Sequence, residues 1–268
     1  MNPGLRIPVA LALALACGAA LAQAPEGKLY TPGAFERVEI DGAGQVRLVQ
    51  GERDEVLVNG NARQQEGVEV EVSGKTLHLD LPGGWKFWDA GKAQVEVRMR
   101  HLSKLSMQGA GDVYASGTFT GPTLGVEVAG SGVVHFDDLR VDHLSFSISG
   151  SGEGQLAGRI DGLSLSVSGR GKVLAPQLQV GSAHVSISGV GNADLWVTDD
   201  LRVDISGAGH VRYLGSPKVR QSISGLGSVD ASGDNPRISR ERPPPPLQPL
   251  PRMPPMPPVP PAPPGRGE

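Results

Sequence analysis

Apolar and polar side chains alternate with period two along much of the chain. Leu144, Phe146 and Ile148 alternate with Ser145, Ser147 and Ser149, and Leu163, Leu165 and Val167 with Ser164, Ser166 and Ser168. Val185 and Ile187 alternate with His184, Ser186 and Ser188, and Leu201, Val203 and Ile205 with Arg202, Asp204 and Ser206. Strict alternation predicts strands with one buried and one wet face. Each run ends at a Gly-x-Gly tripeptide. After it the second and fourth residues are again small or apolar, as in Val134 with Phe136, Gly154 with Leu156, and Val173 with Ala175.

The tripeptide recurs at Gly42, Gly109, Gly130, Gly150, Gly169, Gly189, Gly207 and Gly225, and from Gly109 the spacings are 21, 20, 19, 20, 18 and 18 residues. A fixed motif at this period predicts stacked repeats, each a strand, a Gly-x-Gly corner, a second strand and a short return. One repeat cannot bury its apolar edge alone. Stacking repeats as parallel-paired coils of a β-solenoid solves this, with glycine where the turn needs φ > 0 or has no room for a Cβ. An antiparallel sandwich or barrel with a hairpin at each motif is the alternative, but a meander repeats more naturally every 8–12 residues. The fold class expected is therefore all-β, a β-solenoid.

Residues 28–100 are less regular and are expected to cap the N-terminal end, before regular coils over 101–235. Val38–Val49 resembles one coil, Val68–Val72 and Thr76–Leu81 a hairpin about Ser73-Gly74, and Gln94–Met99 another strand. Gly83–Gly91 holds Trp85, Phe87 and Trp88, three of only eleven aromatics. This loop either folds over the open end of the core or offers an exposed sugar- or surface-binding aromatic patch.

Composition then divides the chain. Arg6 precedes the apolar run Ile7–Ala16 and the Ala20-Leu21-Ala22 sequence, which reads as a secretory signal peptide over residues 1–22, cleaved after Ala22. Cys17, the single cysteine, offers a lipoprotein attachment point as the alternative, and it rules out a disulfide scaffold. The folded domain is expected over 28–239. Of the 23 prolines, 14 lie between Glu241 and Glu268, so residues 240–268 form a Pro-rich, polyproline II or disordered tail that cannot join a sheet. Once the signal is removed, no transmembrane span is expected. A net charge of −3 gives no reason to expect a nucleic-acid partner.

The repeated Ser-Gly-x-Gly corners, the lead-in from Leu102 to Val113 and the earlier Asp41-Gly42-Ala43-Gly44 resemble the head GIN domain of the putative auto-transporter adhesins, over about residues 35–230. The resemblance implies a bacterial, exported, right-handed β-solenoid-like domain and, by the family's name, adhesion. It supplies no catalytic residues. Where an auto-transporter has a membrane barrel, this chain has prolines.

Little in the sequence points to catalysis. No corner extends to G-x-G-x-x-G before a helix. The six histidines show no metal-ligand spacing, and there is no G-x-S-x-G elbow. No catalytic residue, cofactor or metal is assigned. A polysaccharide lyase or hydrolase is the alternative function. Against it, no two acids align on neighbouring coils as a general acid/base pair. What stands out is a surface: Ser145, Ser147, Ser164, Ser166, Ser186, Ser188 and Ser222, with Ser149, Ser168 and Ser224, are expected to stack into a flat hydroxyl-rich face bounded by Arg202 and Arg220. Such a face serves solubility or docks a glycan or an envelope protein. The expected role is a non-catalytic structural or adhesive one in the bacterial periplasm or at the cell surface.

Overall fold

The structure is a computed structural model in which residues 27–60, 65–81 and 94–233 are described. Sixteen strands join in one continuous sheet that winds into a β-solenoid of about six turns. The aromatic trio, the expected signal segment and the Pro-rich tail lie outside the described residues.

The regular coils are β9 (Ala110–Val128), β10 (Ser131–Ile148), β11 (Ser151–Val167), β12 (Arg170–Ile187) and β13 (Val190–Ile205). Each pairs in parallel with the next. The next coil is split into β14 (Ala208–Leu214) and β15 (Lys218–Ile223), which both pair with β13, and β16 (Leu226–Ala231) stacks on β14 as the start of one more. The short return expected as a third segment is not separate. The chain from one corner to the next stays in one ladder, broken by a register shift near its middle.

That shift absorbs the uneven repeat. Between β9 and β10, Ala115 to Thr118 opposes Phe136 to Asp138. Between β10 and β11, Phe136 to Leu139 opposes Leu156 to Gly158. One extra residue is taken up each time, matching the one-residue drops in spacing. The corner and both flanking strands therefore keep strict register while length varies only at the bend between the two sides.

Register stacks the apolar positions in columns, such as Phe146, Leu165, Val185 and Val203, or Ile148, Val167, Ile187 and Ile205. Together they form a single buried core. Phe119 and Phe136 meet edge to face at 5.5 Å between ring centres. Gly154 replaces the small apolar residue of its column because a Cβ there would lie 2.7 Å from Cζ of Phe146.

The first glycine of each corner forms its own column. The x-residue amide of each corner donates to the first glycine's carbonyl one coil back. Examples are Ser131 to Gly109 at 2.7 Å, Ser151 to Gly130 at 2.9 Å and Arg170 to Gly150 at 2.9 Å. A Cβ on Gly150 or Gly169 would overlap that same carbonyl. At these two corners close approach of backbones, not positive φ, requires glycine.

The N-terminal region adds β1 (Gly27–Tyr30), β2 (Arg37–Asp41), β3 (Ala43–Gln50), β4 (Glu55–Asn59), β5 (Glu69–Ser73), β6 (Thr76–Asp80), β7 (Gln94–Met99) and β8 (Lys104–Met107). The β2–β3 coil, first in sequence, is not first in the stack. β2 lies between β6 and β8, and β3 between β7 and β9, all parallel. The chain makes one coil, steps outward to place β6 and β7, then crosses back to continue on the other side. Antiparallel β5 covers β6, and antiparallel β4 and β1 cover β7, which terminates the parallel ladders.

Contacts of two residues, Gln50 and Glu36, tie the interleaved strands together. The Gln50 amide donates to the carbonyls of Arg100 (2.8 Å) and Thr120 (3.2 Å), and its oxygen accepts from the Thr120 amide at 2.7 Å. At the other end of the coil, Glu36 N–H donates to the Lys75 carbonyl, and the Glu36 carbonyl accepts from the Ser103 amide and hydroxyl. The Lys75 ammonium lies 2.9 Å from the Glu36 carboxylate and holds its pKa below the usual range.

Candidate functional site

The strands entering the corners present their polar residues outward, because the alternate residues are committed to the core. Register assigns these residues to columns. One column runs Lys104, Gly125, Ser145, Ser164, His184, Arg202, Arg220. The next starts at Ser106, which is buried, and runs on through Glu127, Ser147, Ser166, Ser186, Asp204 and Ser222. Ser188 belongs to neither. It sits at the corner with Ser149, Ser168, Ser206 and Ser224, whose amides bond successive coils and which are all exposed.

The hydroxyl array is densest over β10, β11 and β12. Ser145 and Ser166 are exposed, whereas Ser147, Ser164 and Ser186 are half-buried between neighbouring rungs. Cross-strand spacing of about 4.8 Å and two-residue spacing of about 6.6 Å set a two-dimensional hydroxyl lattice. His143 Nε2 lies 3.1 Å from the Ser164 hydroxyl, so this hydroxyl already has a partner at the edge of the lattice.

Ion-pair rungs close the array at both ends. Lys104 Nζ lies 3.0 Å from Glu127, and Arg202 Nε 3.0 Å from Asp204. His184 stands 3.9 Å from the same Asp204 carboxylate. Arg202 is thus already partnered, and Lys104, Glu127 and Asp204 were not among the expected face residues. Sequence alternation marks them as outward and sets Arg202 two residues from Asp204 on one strand, but only register shows that Lys104 meets Glu127 on the next coil.

The strands leaving the corners carry a different surface. Arg212 forms a bidentate pair with Asp194, 2.7 Å at each contact, and that bond raises the arginine's pKa. His135 is held between Asp137 (2.8 Å) and Gln155 (3.2 Å), and Gln155 donates to Glu153.

The bend between the two sides corrects one sequence-based argument. Asp142 and Asp161 immediately precede the registered pair His143 and Gly162, so two acids do occupy equivalent places on neighbouring coils. They line a shallow cleft of about 500 Å³ with Arg140 and Arg159. The misreading arose because the residue counts from the corners to these acids differ by the one residue that the register shift takes up. Among the described residues no group of three or more His, Cys, Asp or Glu could hold a metal, and no helix is long and apolar enough to cross a membrane.

Fold and surface together define a β-solenoid with a repetitive outward face on each side. Residues 34–217 match the family described as "Putative auto-transporter adhesin, head GIN domain", and the chain belongs to this family. Similar solved structures include a putative adhesin from Bacteroides fragilis, 24% identical, with a TM-score of 0.73 over 76% of this chain and 95% of that one. A putative adhesin from Parabacteroides merdae is 22% identical, with a TM-score of 0.61 over 77% and 95%. A protein from Parabacteroides distasonis named a putative lipid binding protein is 21% identical, with a TM-score of 0.63 over 79% and 98%. At these identities the likeness establishes the fold. No curated protein matches the sequence.

Proposed function

We propose that the protein is an exported, non-catalytic binding module of the bacterial envelope, and that its serine face docks an extended glycan. The observation that carries this reading is the registered hydroxyl array on β10, β11 and β12, bounded by the Lys104–Glu127 and Arg202–Asp204 rungs. Serine loses little side-chain entropy on binding, and each hydroxyl both donates and accepts. A polymer with hydroxyls repeating along its length can lie flat on such a lattice and form many weak bonds at once, so affinity accumulates by multiplicity rather than in a deep pocket. The family name is consistent with adhesion. The signal-like N-terminus supports export, with the Pro-rich tail as a spacer.

The test is co-sedimentation of the full chain with insoluble peptidoglycan, cellulose and chitin, comparing wild type with Ser166→Arg and Ser186→Arg. Both variants should keep the wild-type melting temperature, because surface substitutions of this kind usually change stability by less than about 0.5 kcal/mol. Each should weaken sedimentation at least about tenfold. Unimpaired binding by these variants would overturn the serine-face reading. Flotation with phospholipid vesicles in the same series tests the lipid binding that one neighbour's name points to. The acids of the bend favour a second reading, a polysaccharide-cleaving enzyme. Release of new reducing ends that disappears in Asp142→Asn would favour it.

A further inference from the structure

A second concave site lies on the opposite side of the solenoid, near its N-terminal end. β4, β7, β3 and β9 run side by side there, and their outward residues surround a cleft of about 210 Å³. The volume corresponds to roughly seven displaced waters, the scale of one pyranose ring. Three carboxamides converge on it, because register places Gln45 beside Gln94 and Gln94 beside Asn59. The next row brings Glu96, Arg47 and Tyr114 together in successive strands.

This chemistry is unlike the rest of the surface. The serine face offers small hydroxyls on a flat sheet, and the strands leaving later corners carry ion pairs such as Arg212 with Asp194 and Lys172 with Glu153. Here Arg47 makes no ion pair among the described residues, while Glu96 is held by Arg98 at 2.8 Å. Tyr114 is 40% exposed, and its ring leans on His135 at 6.3 Å between centres. His135 is anchored through both ring nitrogens by Asp137 and Gln155, so the support behind the tyrosine is fixed before any ligand arrives.

We infer that this cleft binds a single sugar residue, its apolar face against Tyr114 and its hydroxyls bonded by Gln45, Gln94, Asn59 and Arg47. A planar aromatic ring supplies apolar area with little entropy loss. Carboxamides supply a donor and an acceptor at a spacing suited to adjacent hydroxyls. A few convergent polar groups around one apolar surface are the usual make-up of a small-ligand site. The inference is independent of the serine face, which lies on the other side of the coils, though both would serve a glycan-binding protein.

The experiment titrates the full chain with glucose, galactose, N-acetylglucosamine and glucuronic acid separately, following by NMR the side-chain amide resonances of Gln94 and Asn59 and, in chains that keep it, the Tyr114 ring. At least one sugar should shift them saturably, with millimolar affinity. Tyr114→Ala and Gln45→Ala should weaken that binding at least about tenfold, whereas Tyr114→Phe should retain it. Ser166→Arg should leave it unchanged, which separates this site from the serine face. Both variant positions are outward-facing, and unchanged melting temperatures would confirm that the fold is intact. Absence of saturable shifts in these resonances with all four sugars would overturn the inference. So would undiminished binding by Tyr114→Ala, or loss of binding in Ser166→Arg alone.

Discussion

At the residue scale, the corner glycines matter through what they leave out. At Gly150 the missing side chain lets the corner approach the carbonyl of Gly130, which accepts the Ser151 amide at 2.9 Å. Gly150→Ala sets a Cβ against backbone that cannot yield without breaking the ladder. It should destabilise by more than about 2 kcal/mol, within the range of severe backbone and packing changes. Gly154→Ala meets the tip of a side chain instead, the Phe146 ring, and should cost about 1–3 kcal/mol as an overpacked core does. Urea unfolding of both variants checks the order, and an equal or reversed effect would contradict it. Glu36 gives a pH-dependent counterpart. Its bond to Lys75 lowers its folded pKa, so the contribution to stability is present above the ordinary carboxylate range and is lost as pH falls through the folded value. The Glu36 carboxyl should titrate by NMR below an ordinary glutamate and move back up in Lys75→Met.

At the scale of elements, the coil itself is legible in the sequence. The alternation and the Gly-x-Gly spacing give strands, corners and stacking direction, and the parallel solenoid is what forms. The hairpin about Ser73-Gly74 and the strand at Gln94–Met99 are equally readable. The interleaving of β2–β3 between later coils is not. The apolar pairs that face the core there, Val38 with Ile40, Leu77 with Leu79, and Leu105 with Met107, are nearly interchangeable in size and period. Nothing in them dictates which neighbour each takes. The order is instead recorded in specific polar contacts such as those of Gln50, which have no periodic signature. Gln50→Ala removes three hydrogen bonds that tie its coil to Arg100 and Thr120. Its loss should cost about 1 kcal/mol, since the exposed groups regain water. Native-state hydrogen exchange should show the loss concentrated in the N-terminal coils rather than spread over β10 to β13.

On the scale of the whole molecule, one winding principle produces two unlike surfaces. The strands entering the corners offer hydroxyls closed off by ion-pair rungs. The strands leaving them carry charged ladders and, near the N-terminal end, the cleft beside Tyr114. Length variation is confined to the bend between these sides, so both surfaces keep register from coil to coil. This allocation explains why the expected site was only partly readable. The alternation shows which residues point outward. It does not show that Lys104 meets Glu127, or that Asp142 and Asp161 fall level, because each depends on register between coils. The proposed function requires ligand to lie along the serine columns. Carbene footprinting of the full chain, with and without the polysaccharide it sediments with, tests this most directly. Labelling should fall in peptides spanning 145–149, 164–168 and 186–188 and stay constant in those spanning 192–196 and 210–213. Protection confined to the latter peptides, or none on the serine columns while ligand is bound, would contradict the account.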